Sequence, residues 1–455
     1  MHSPIKSENV KLIVLISLII FGSCLGNLSQ TALNAMFSGI AESFSVEVEM
    51  GQWVTTIYML VLGITVPAVT YLMRRFSLKR LVIIAFSLLC AGAALDAVAF
   101  DFFSLVLGRV LQAIAAGITL PMMMSTIMTS FPREKQGTVM GISGIALGFA
   151  PNIGPTIGGW MIGFSGWRSF FVVLAVLALL LIVLAAVLMD SGRRPTGEAH
   201  LDVASLCLSA VGFGGLLLGC SNASSVQLGN PLVWAPVLVG AVALVVFVLR
   251  QKRISHPLIN MAIFESKRFV VSFWAGNFLF ASFLGITLIV PLYIEGLCGG
   301  SALQAGLALL PGTVAALFVN PLSGYLTDKI GVRPVVLVSS VFLVTGSVSM
   351  AFLDASSPFW LVVLLQGIRA TGVSGLISPL TSWGMADLPH AIMTDGSSFS
   401  TAARQACASM GTALMVFAIT SGPALGSAAL GYHLAFGLSG AFAVVMFACV
   451  VLKVR

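Results

Sequence analysis

Long apolar runs follow one another along almost the whole chain, and each is about as long as a helix that crosses a lipid bilayer. Such a helix needs about 20 mostly apolar residues. Only 9% of the 455 residues are charged, whereas a typical soluble domain has about 25%, so this chain cannot form a charged exterior. We therefore predict an all-α integral membrane protein. The composition excludes soluble, disordered and nucleic-acid-binding proteins.

Charged and turn-rich breaks divide the chain into about fourteen predicted membrane helices. They lie near residues 11–39, 50–73, 80–100, 102–126, 136–162, 169–189, 203–222, 231–249, 269–296, 302–327, 335–353, 358–384, 396–420 and 429–452. An even number of crossings places both chain ends on one side of the membrane. All but four of the 23 Lys and Arg residues fall on that side, the four being Arg109, Arg168, Arg369 and Arg404. Because basic residues favour the cytoplasm, we predict a multi-pass protein of the cell (plasma or inner) membrane with both termini cytoplasmic.

An internal repeat divides the chain into two similar parts. The segment TYLMRRFSLK at 70–79 aligns with GYLTDKIGVR at 324–333, and Gly117 and Pro121 align with Gly375 and Pro379. Both matches run in the same direction, which predicts parallel halves with a substrate site between them near the membrane midplane. We predict a six-helix half over 1–190, a cytoplasmic linker and two inserted membrane helices over 191–262, and a second six-helix half over 263–455.

Clusters that carry enzyme chemistry are not evident. The five His residues are far apart in sequence, and the seven Cys residues form no CxxC pair and no metal-ligand spacing. No phosphate-binding glycine loop with its Lys is present either. We predict no enzymatic activity, no metal and no cofactor.

Glycine and proline are concentrated in the fifth predicted span. Gly154-Pro155-x-x-Gly158-Gly159 would destabilise a soluble helix, but neighbouring membrane helices can tolerate such a segment. One interpretation is close packing of small residues. The other is a deformable contact that takes part in conformational change.

Several motifs resemble those of the major facilitator superfamily, in particular its fourteen-span drug:proton antiporter branch. The resemblance covers essentially the whole chain and rests on Gly154-Pro155-x-x-Gly158-Gly159, on Gly324-x-Leu-x-Asp328-Lys-x-Gly331-x-Arg333, on Arg109-x-x-Gln112, on Gln52-Trp53-Val54-x-x-x-Tyr58 and on Arg404-Gln405. It implies a bundle of two parallel six-helix halves with two extra helices. It also implies efflux of small amphipathic or cationic compounds, driven by protons.

Gating residues follow from the same motifs. Asp328 and Arg333 can form a cytoplasmic latch at a helix end, with Gly324 and Gly331 in the same loop motif. The first-half copy departs from this pattern because Arg74 stands where the family has Asp. We therefore expect that Arg74 cannot make the same contact.

A polar stripe in the first span is the first part of the predicted substrate cavity. Asn27, Gln30, Thr31 and Asn34 share one helical face, and polar groups that face lipid are costly. Hydrogen bonding between helices without a ligand is the alternative interpretation. The other predicted cavity residues are Gln52, Thr56, Trp274, Asn277, Phe278, Phe280, Phe318 and Asn320. The aromatic residues among them could instead face lipid or pack against other helices.

Proton coupling requires a titratable group in the pathway. Ser29 occupies the position that is acidic in the family. The candidates are Asp96 and Glu295, together with Arg109 and Gln112; both acids could instead be solvated residues at the membrane boundary.

The predicted function is export of small amphipathic compounds from a cell membrane by a monomer that binds a small molecule and protons. The alternative is uptake or uncoupled exchange of a specific metabolite. A membrane enzyme or receptor is a third class, which transport into vesicles would distinguish.

Overall fold

The computed structural model describes residues 4–46, 48–190, 202–225, 231–255 and 257–454. In these ranges the chain forms sixteen α-helices joined by short connections, and no β-strand occurs among them. The helices are α1 Pro4–Ala32, α2 Phe37–Phe44, α3 Val48–Arg75, α4 Leu78–Ala97, α5 Phe102–Ser130, α6 Arg133–Gly144, α7 Ala150–Ser165, α8 Trp167–Leu188, α9 Val203–Ser225, α10 Pro231–Gln251, α11 Lys267–Leu292, α12 Ala302–Ile330, α13 Val332–Met350, α14 Phe359–Met385, α15 Met393–Leu425 and α16 Ala428–Lys453.

Fourteen membrane crossings account for nearly all of these helices. Thirteen helices in the described part are long and apolar enough to span a bilayer. The remaining crossing is the Gly- and Pro-rich one, which is built from α6, a π-helical segment Ile145–Phe149 and α7 in direct succession. Each piece is shorter than a full span. The sequence prediction of an all-α membrane bundle with about fourteen helices is therefore confirmed.

The first predicted span ends earlier than the sequence suggested. Its run reached residue 39, but α1 ends at Ala32 and a 3₁₀ turn, Leu33–Ala35, separates it from α2. Asn34 lies in that turn. The polar stripe is therefore not one continuous α-helical face.

Helix packing forms two groups of six crossings with an additional pair. In the first group α4 packs on α5 and on α8. Helix α1 packs against α5 and α7, and α3 packs against α5. In the second group α11 packs on α15 and α16, and α14 packs on α12 and α13. The groups meet where α6 crosses α12 and where α15 crosses α3 and α5. The additional helices α9 and α10 pack on each other, and α9 also contacts α3 and α15.

An ion pair closes the α9–α10 hairpin between Asp202, which precedes the membrane-spanning part of α9, and Arg250 near the end of α10. Asp202 accepts hydrogen bonds from Arg250 Nε (2.9 Å) and Nη2 (3.1 Å) and from the hydroxyl of Ser205 (2.5 Å). The Arg250 and Ser205 hydrogen bonds lower the pKa of Asp202 to about 2. The carboxylate therefore holds the start of α9 to the end of α10 across the physiological pH range.

Glycines permit α1 and α7 to approach each other closely. A β-carbon on Gly154 would overlap the hydroxyl of Thr31, and one on Gly158 would overlap the carbonyl oxygen of Ala32. A β-carbon on Gly159 would lie 3.8 Å from that of Ala35, an ordinary contact. Small-residue packing, the first of the two interpretations of this motif, thus describes Gly154 and Gly158 but not Gly159.

We expect Gly158→Ala to destabilise the protein by about 1–3 kcal/mol, because the added methyl group must push α1 and α7 apart. The adjacent substitution Gly159→Ala is the matched control and should leave stability unchanged. Thermal unfolding of the two purified variants checks this. Equal melting temperatures for the two would contradict the assigned contact.

Candidate functional site

A cluster of four buried polar side chains joins α1, α4 and α5. Arg109 Nη1 donates hydrogen bonds to the hydroxyl of Ser29 (2.7 Å) and to Gln112 Oε1 (2.8 Å). Ser29 donates to the same Gln112 oxygen at 2.6 Å, and Gln112 Nε2 donates to Asp96 Oδ2 at 2.7 Å. All four are completely buried. We call these four residues the Arg109 cluster.

The aromatic ring of Tyr58 completes the surroundings of the guanidinium. Arg109 Cζ lies 4.2 Å from the centroid of the ring, a distance at which the face of the ring attracts a cation. The Tyr58 hydroxyl donates to the carbonyl oxygen of Gly26 at 2.8 Å. Thus α3 is also fixed against α1 at the level of the cluster.

The α4–α5 hairpin positions this cluster. At the start of α5 the side chain of Asp101 accepts from the Ser104 backbone N–H (2.8 Å), and these two residues form a capping box. Hydrogen bonds from Ser104 lower the pKa of Asp101, so it stays ionised at the positive helix end. Farther along, a β-carbon on Gly108 would overlap the carboxyl of Asp96. Glycine at 108 therefore lets the acid reach α5.

Three of the four residues predicted for proton coupling are brought together by this arrangement. Arg109, Gln112 and Asp96 form one hydrogen-bonded set, together with Ser29. The alternative interpretation of Asp96 as a solvated residue is wrong, because it is completely buried. Glu295 is exposed in the π-helical segment Tyr293–Leu297 that continues α11, so it fits the alternative interpretation. Nothing in the sequence spacing of Asp96 indicated its contact with Gln112.

A cavity of about 50 Å³ lies between the two six-helix groups. Polar side chains line part of it and apolar side chains line the rest. The lining consists of Asn27, Gln30 and Thr31 from α1, Leu120 and Met124 from α5, Leu147 and Pro151 from the broken crossing, Phe280 and Leu284 from α11, and Thr401, Arg404 and Gln405 from α15. A larger groove of about 530 Å³ between α3, α9 and α10 is almost wholly apolar and opens outward. The smaller cavity is the candidate transport site because only it combines charge, amides and apolar walls.

Some of the predicted cavity residues line the cavity, others lie elsewhere, and two have side chains outside those that the structure describes. Asn27, Gln30, Thr31 and Phe280 line the cavity. Thr56 instead shares a hydrogen bond of 2.9 Å with Ser221 of α9. The side chains of Asn34 and Gln52 lie outside those that the structure describes.

The remaining predicted cavity residues of α11 and α12 do not line this cavity. Trp274 and Phe318 are exposed on the outer surface, and Phe278 packs between Trp274 and Phe442. Asn277 and Asn320 are buried; Asn320 lies against Gly144 and Gly148 of the broken crossing. The rotation of each helix about its own axis decides these positions. The sequence analysis identified Arg404 through the Arg404-Gln405 motif but did not place it in the cavity.

Asp328 connects the two groups at the end of the bundle where α1 begins and α16 ends, which we call the terminal face. Its carboxylate accepts from the backbone N–H groups of Gly137 (2.9 Å) and Thr138 (2.6 Å) and from the Thr138 hydroxyl (2.6 Å). Gly324 lies against Gly137 with no room for a β-carbon. Arg333, the other half of the predicted latch, is exposed. Between them Gly331 has φ +88°, a conformation that glycine adopts readily.

Arg74 makes the equivalent connection with the charge reversed. Its Nη2 lies 3.1 and 3.0 Å from the two carboxylate oxygens of the buried Asp395 at the start of α15. Arg74 aligns with Asp328 in the internal repeat, and the 258-residue offset that relates Gly117 to Gly375 also relates Gly137 to Asp395. As expected, Arg74 does not bind backbone N–H groups as Asp328 does. It nevertheless joins the two six-helix groups, because it binds the carboxylate of Asp395.

We expect Arg74→Asp and Asp395→Arg each to destabilise the closed terminal face, because each creates a like-charge pair. The cost should be about 3–5 kcal/mol per substitution, as for a buried charge that loses its partner, and the double reversal should restore more than half of it. Thermal unfolding of the four proteins in a double-mutant cycle measures this. Arg75→Asp, a change of the neighbouring exposed arginine, is the matched control; simple additivity of the two single changes would contradict the pairing.

Comparisons with known proteins agree with this geometry. The sequence profile of the Major Facilitator Superfamily matches residues 19–412. YcnB of Bacillus subtilis (strain 168), an MFS-type transporter described as uncharacterized, is 32% identical over 446 residues, which are 98% of this chain and 94% of YcnB. The lincomycin resistance protein LmrB of the same strain is 30% identical over 411 residues, 90% of this chain and 85% of LmrB.

A solved structure shows the same fold. The proton:xylose symporter XylE, bound to 6-bromo-6-deoxy-D-glucose, matches with a TM-score of 0.71 over 98% of this chain and 96% of XylE. Its sequence identity is 14%, so the likeness concerns the fold alone. The resemblance inferred from the motifs is confirmed, and the chain belongs to the major facilitator superfamily, whose members are membrane transporters.

Proposed function

We propose that this protein is a proton-coupled exporter of small amphipathic, drug-like compounds that works by alternating access. The observation that carries this proposal is the Arg109 cluster. It contains a buried acid, and it ends on Ser29 of α1, next to the cavity residue Gln30. The antibiotic resistance named for the relative LmrB supports export as the direction.

The acid that the family has in the first span is supplied in this chain by another helix. Ser29 cannot carry the proton, but two hydrogen-bonded steps through Gln112 connect it to Asp96. A carboxylate only accepts hydrogen bonds, whereas a carboxylic acid can also donate one. Protonation of Asp96 would therefore change its bond to Gln112 and remove the negative charge nearest Arg109. The hydrogen bonds from the Arg109 guanidinium to Ser29 and Gln112 would then change in length and strength, which would shift α1 at the cavity.

The terminal face is proposed to be cytoplasmic, since nearly all basic residues lie on that side. The proposed moving units are the halves 1–190 and 263–455, with 191–262 as the linker and inserted pair, in a monomer of the cell membrane. The Asp328 and Arg74 contacts close this face in the present conformation. Both must break for a substrate to enter the cavity from the cytoplasm.

The broken crossing is proposed to transmit movement between the halves. One part of it, α6, contacts α12 of the second half, and the other, α7, contacts α1 through Gly154 and Gly158. Thr31 touches Gly154 and also lines the cavity. Pro155 lies inside α7, where it removes one backbone donor and permits bending.

Uncoupled exchange of a specific metabolite is the second candidate function. It is favoured by Ser29 at the position where the family has an acid. The two candidates differ in one measurable property, the movement of protons with the substrate.

We expect that wild-type protein in liposomes with an imposed pH gradient moves at least one dye from a panel of anionic, neutral and cationic fluorescent compounds and dissipates the gradient. Asp96→Asn should reduce substrate-linked proton flux by at least about tenfold, as expected for loss of a proton-transfer group. An internal pH dye reports proton flux beside the substrate signal.

Glu295→Gln is the matched control, since it removes an exposed acid, and it should behave as wild type. Dye movement without proton flux in the wild type would contradict coupling and support exchange. Undiminished proton flux in Asp96→Asn would contradict the role of Asp96. Failure of every dye to move would contradict export of this class of compound.

A further inference from the structure

We propose that Arg404 is the anion-binding group of the transport site, so that the preferred substrates are amphipathic organic anions such as sulfonates and carboxylates. This inference rests on the proposed transport function for the statement that the bound molecule is a substrate. It differs from the cationic compounds that the sequence motifs imply.

Arg404 is the buried cation with the fewest partners in the described part of the chain. It is 5% exposed and lines the cavity. Its Nη2 donates to the hydroxyl of Thr381 at 3.1 Å, whereas its Nε and Nη1 have no hydrogen-bond partner among the described residues. A guanidinium has five donors, and a charge within a membrane bundle ordinarily finds compensation.

The other buried or half-buried arginines at the centre and terminal face are better compensated. Arg74 contacts the carboxylate of Asp395. Arg109 has the ring of Tyr58 and the hydrogen-bonded cluster that includes Asp96. Arg369 donates from Nη2 to the carbonyl oxygens of Ser282 (2.9 Å) and Phe283 (3.2 Å). Arg404, with one hydrogen bond to Thr381 and the more distant ring of Phe280, is thus the least compensated of these arginines, and it lies at the cavity.

The guanidinium is held in place by its neighbours. A β-carbon on Gly276 would lie 3.1 Å from Nε and 3.3 Å from Nη2, so glycine at 276 provides the space that it occupies. On another side its Cζ lies 5.5 Å from the ring centroid of Phe280. A guanidinium that is already positioned can donate charge-assisted hydrogen bonds to an oxyanion without first being ordered.

The chemistry of the remaining lining suits a molecule with one anionic end and an apolar body, which would enter when the cavity of about 50 Å³ widens in the proposed conformational cycle. Nε2 of Gln405, beside Arg404, is a second buried donor without a partner among the described residues. Leu120, Met124 and Leu284 supply apolar walls. Among the described residues no Asp or Glu lines this cavity. A cationic substrate would therefore add a second positive charge to a region of low dielectric constant without a partner.

The test uses three naphthalene compounds of similar size and different charge: naphthalene-2-sulfonate, naphthalene-2-sulfonamide and 2-naphthyltrimethylammonium. Binding to the purified full-length protein in lipid nanodiscs is measured by isothermal titration calorimetry, with empty nanodiscs subtracted. We expect the sulfonate to bind at least about tenfold more tightly than the sulfonamide, and the ammonium compound to bind most weakly, because a charge-assisted hydrogen bond is stronger than a neutral one.

Arg404→Gln should remove the preference for the sulfonate over the sulfonamide, and Arg404→Lys should retain part of the preference as a point charge. Lys453→Gln, which removes an exposed positive charge at the end of α16, is the control and should match wild type. If Arg404→Gln does not fold, the ranking of the three compounds by affinity in the wild type and in Arg404→Lys still tests the proposal.

Absence of sulfonate binding in the wild type overturns the anion site, as does tighter binding of the ammonium compound or unchanged sulfonate affinity in Arg404→Gln. The dye assay separates this from failure of the proposed function. Transport of neutral or cationic dyes without sulfonate binding overturns only the anion site. Sulfonate binding that depends on Arg404, with no dye transported, overturns export and leaves the binding site established.

Discussion

A guanidinium buried among apolar helices must be surrounded by acceptors and electron-rich groups, and the packing of α1, α3, α4 and α5 meets this requirement for Arg109. Ser29 and Gln112 accept its hydrogen bonds, the ring of Tyr58 covers its face, and Asp96 supplies negative charge through Gln112. Each partner comes from a different helix or turn of the first group. A change in the charge of this cluster would therefore change how these helices fit together, as the proposed proton-driven cycle requires.

The contacts at the terminal face show that equivalent positions can perform one mechanical task with different chemistry. Asp328 binds backbone N–H groups near the start of α6, where the helix dipole favours an anion. Arg74, its counterpart in the repeat, would be repelled by such a helix end, and it meets the carboxylate of Asp395 instead. The two contacts thus occupy equivalent positions in the repeat. In one the acid is on the loop-motif residue, Asp328, and in the other it is on the facing helix, Asp395.

Glycines of the broken crossing link the terminal face to the cavity. The broken crossing touches Gly324 and Asn320 of α12 through Gly137 and Gly144, and it touches Thr31 of α1 through Gly154. Each of these glycines lies directly against its neighbour and has no side chain of its own that could adjust, so the contacts couple the broken crossing to α12 and to α1. Opening at the terminal face would therefore displace Thr31 at the cavity wall.

The sequence by itself determined the number of crossings, the repeat, the family and the basic side of the bundle, because these depend on local composition and on motifs read along the chain. It also identified Arg109 and Gln112, which lie one helical turn apart. Only the tertiary structure decided that Asp96 contacts Gln112, that Arg74 meets Asp395 and that Arg404 lines the cavity while Trp274 lies outside it. A membrane helix such as α11 is apolar on most of its faces, so no periodicity encodes its rotation, which packing against other helices sets.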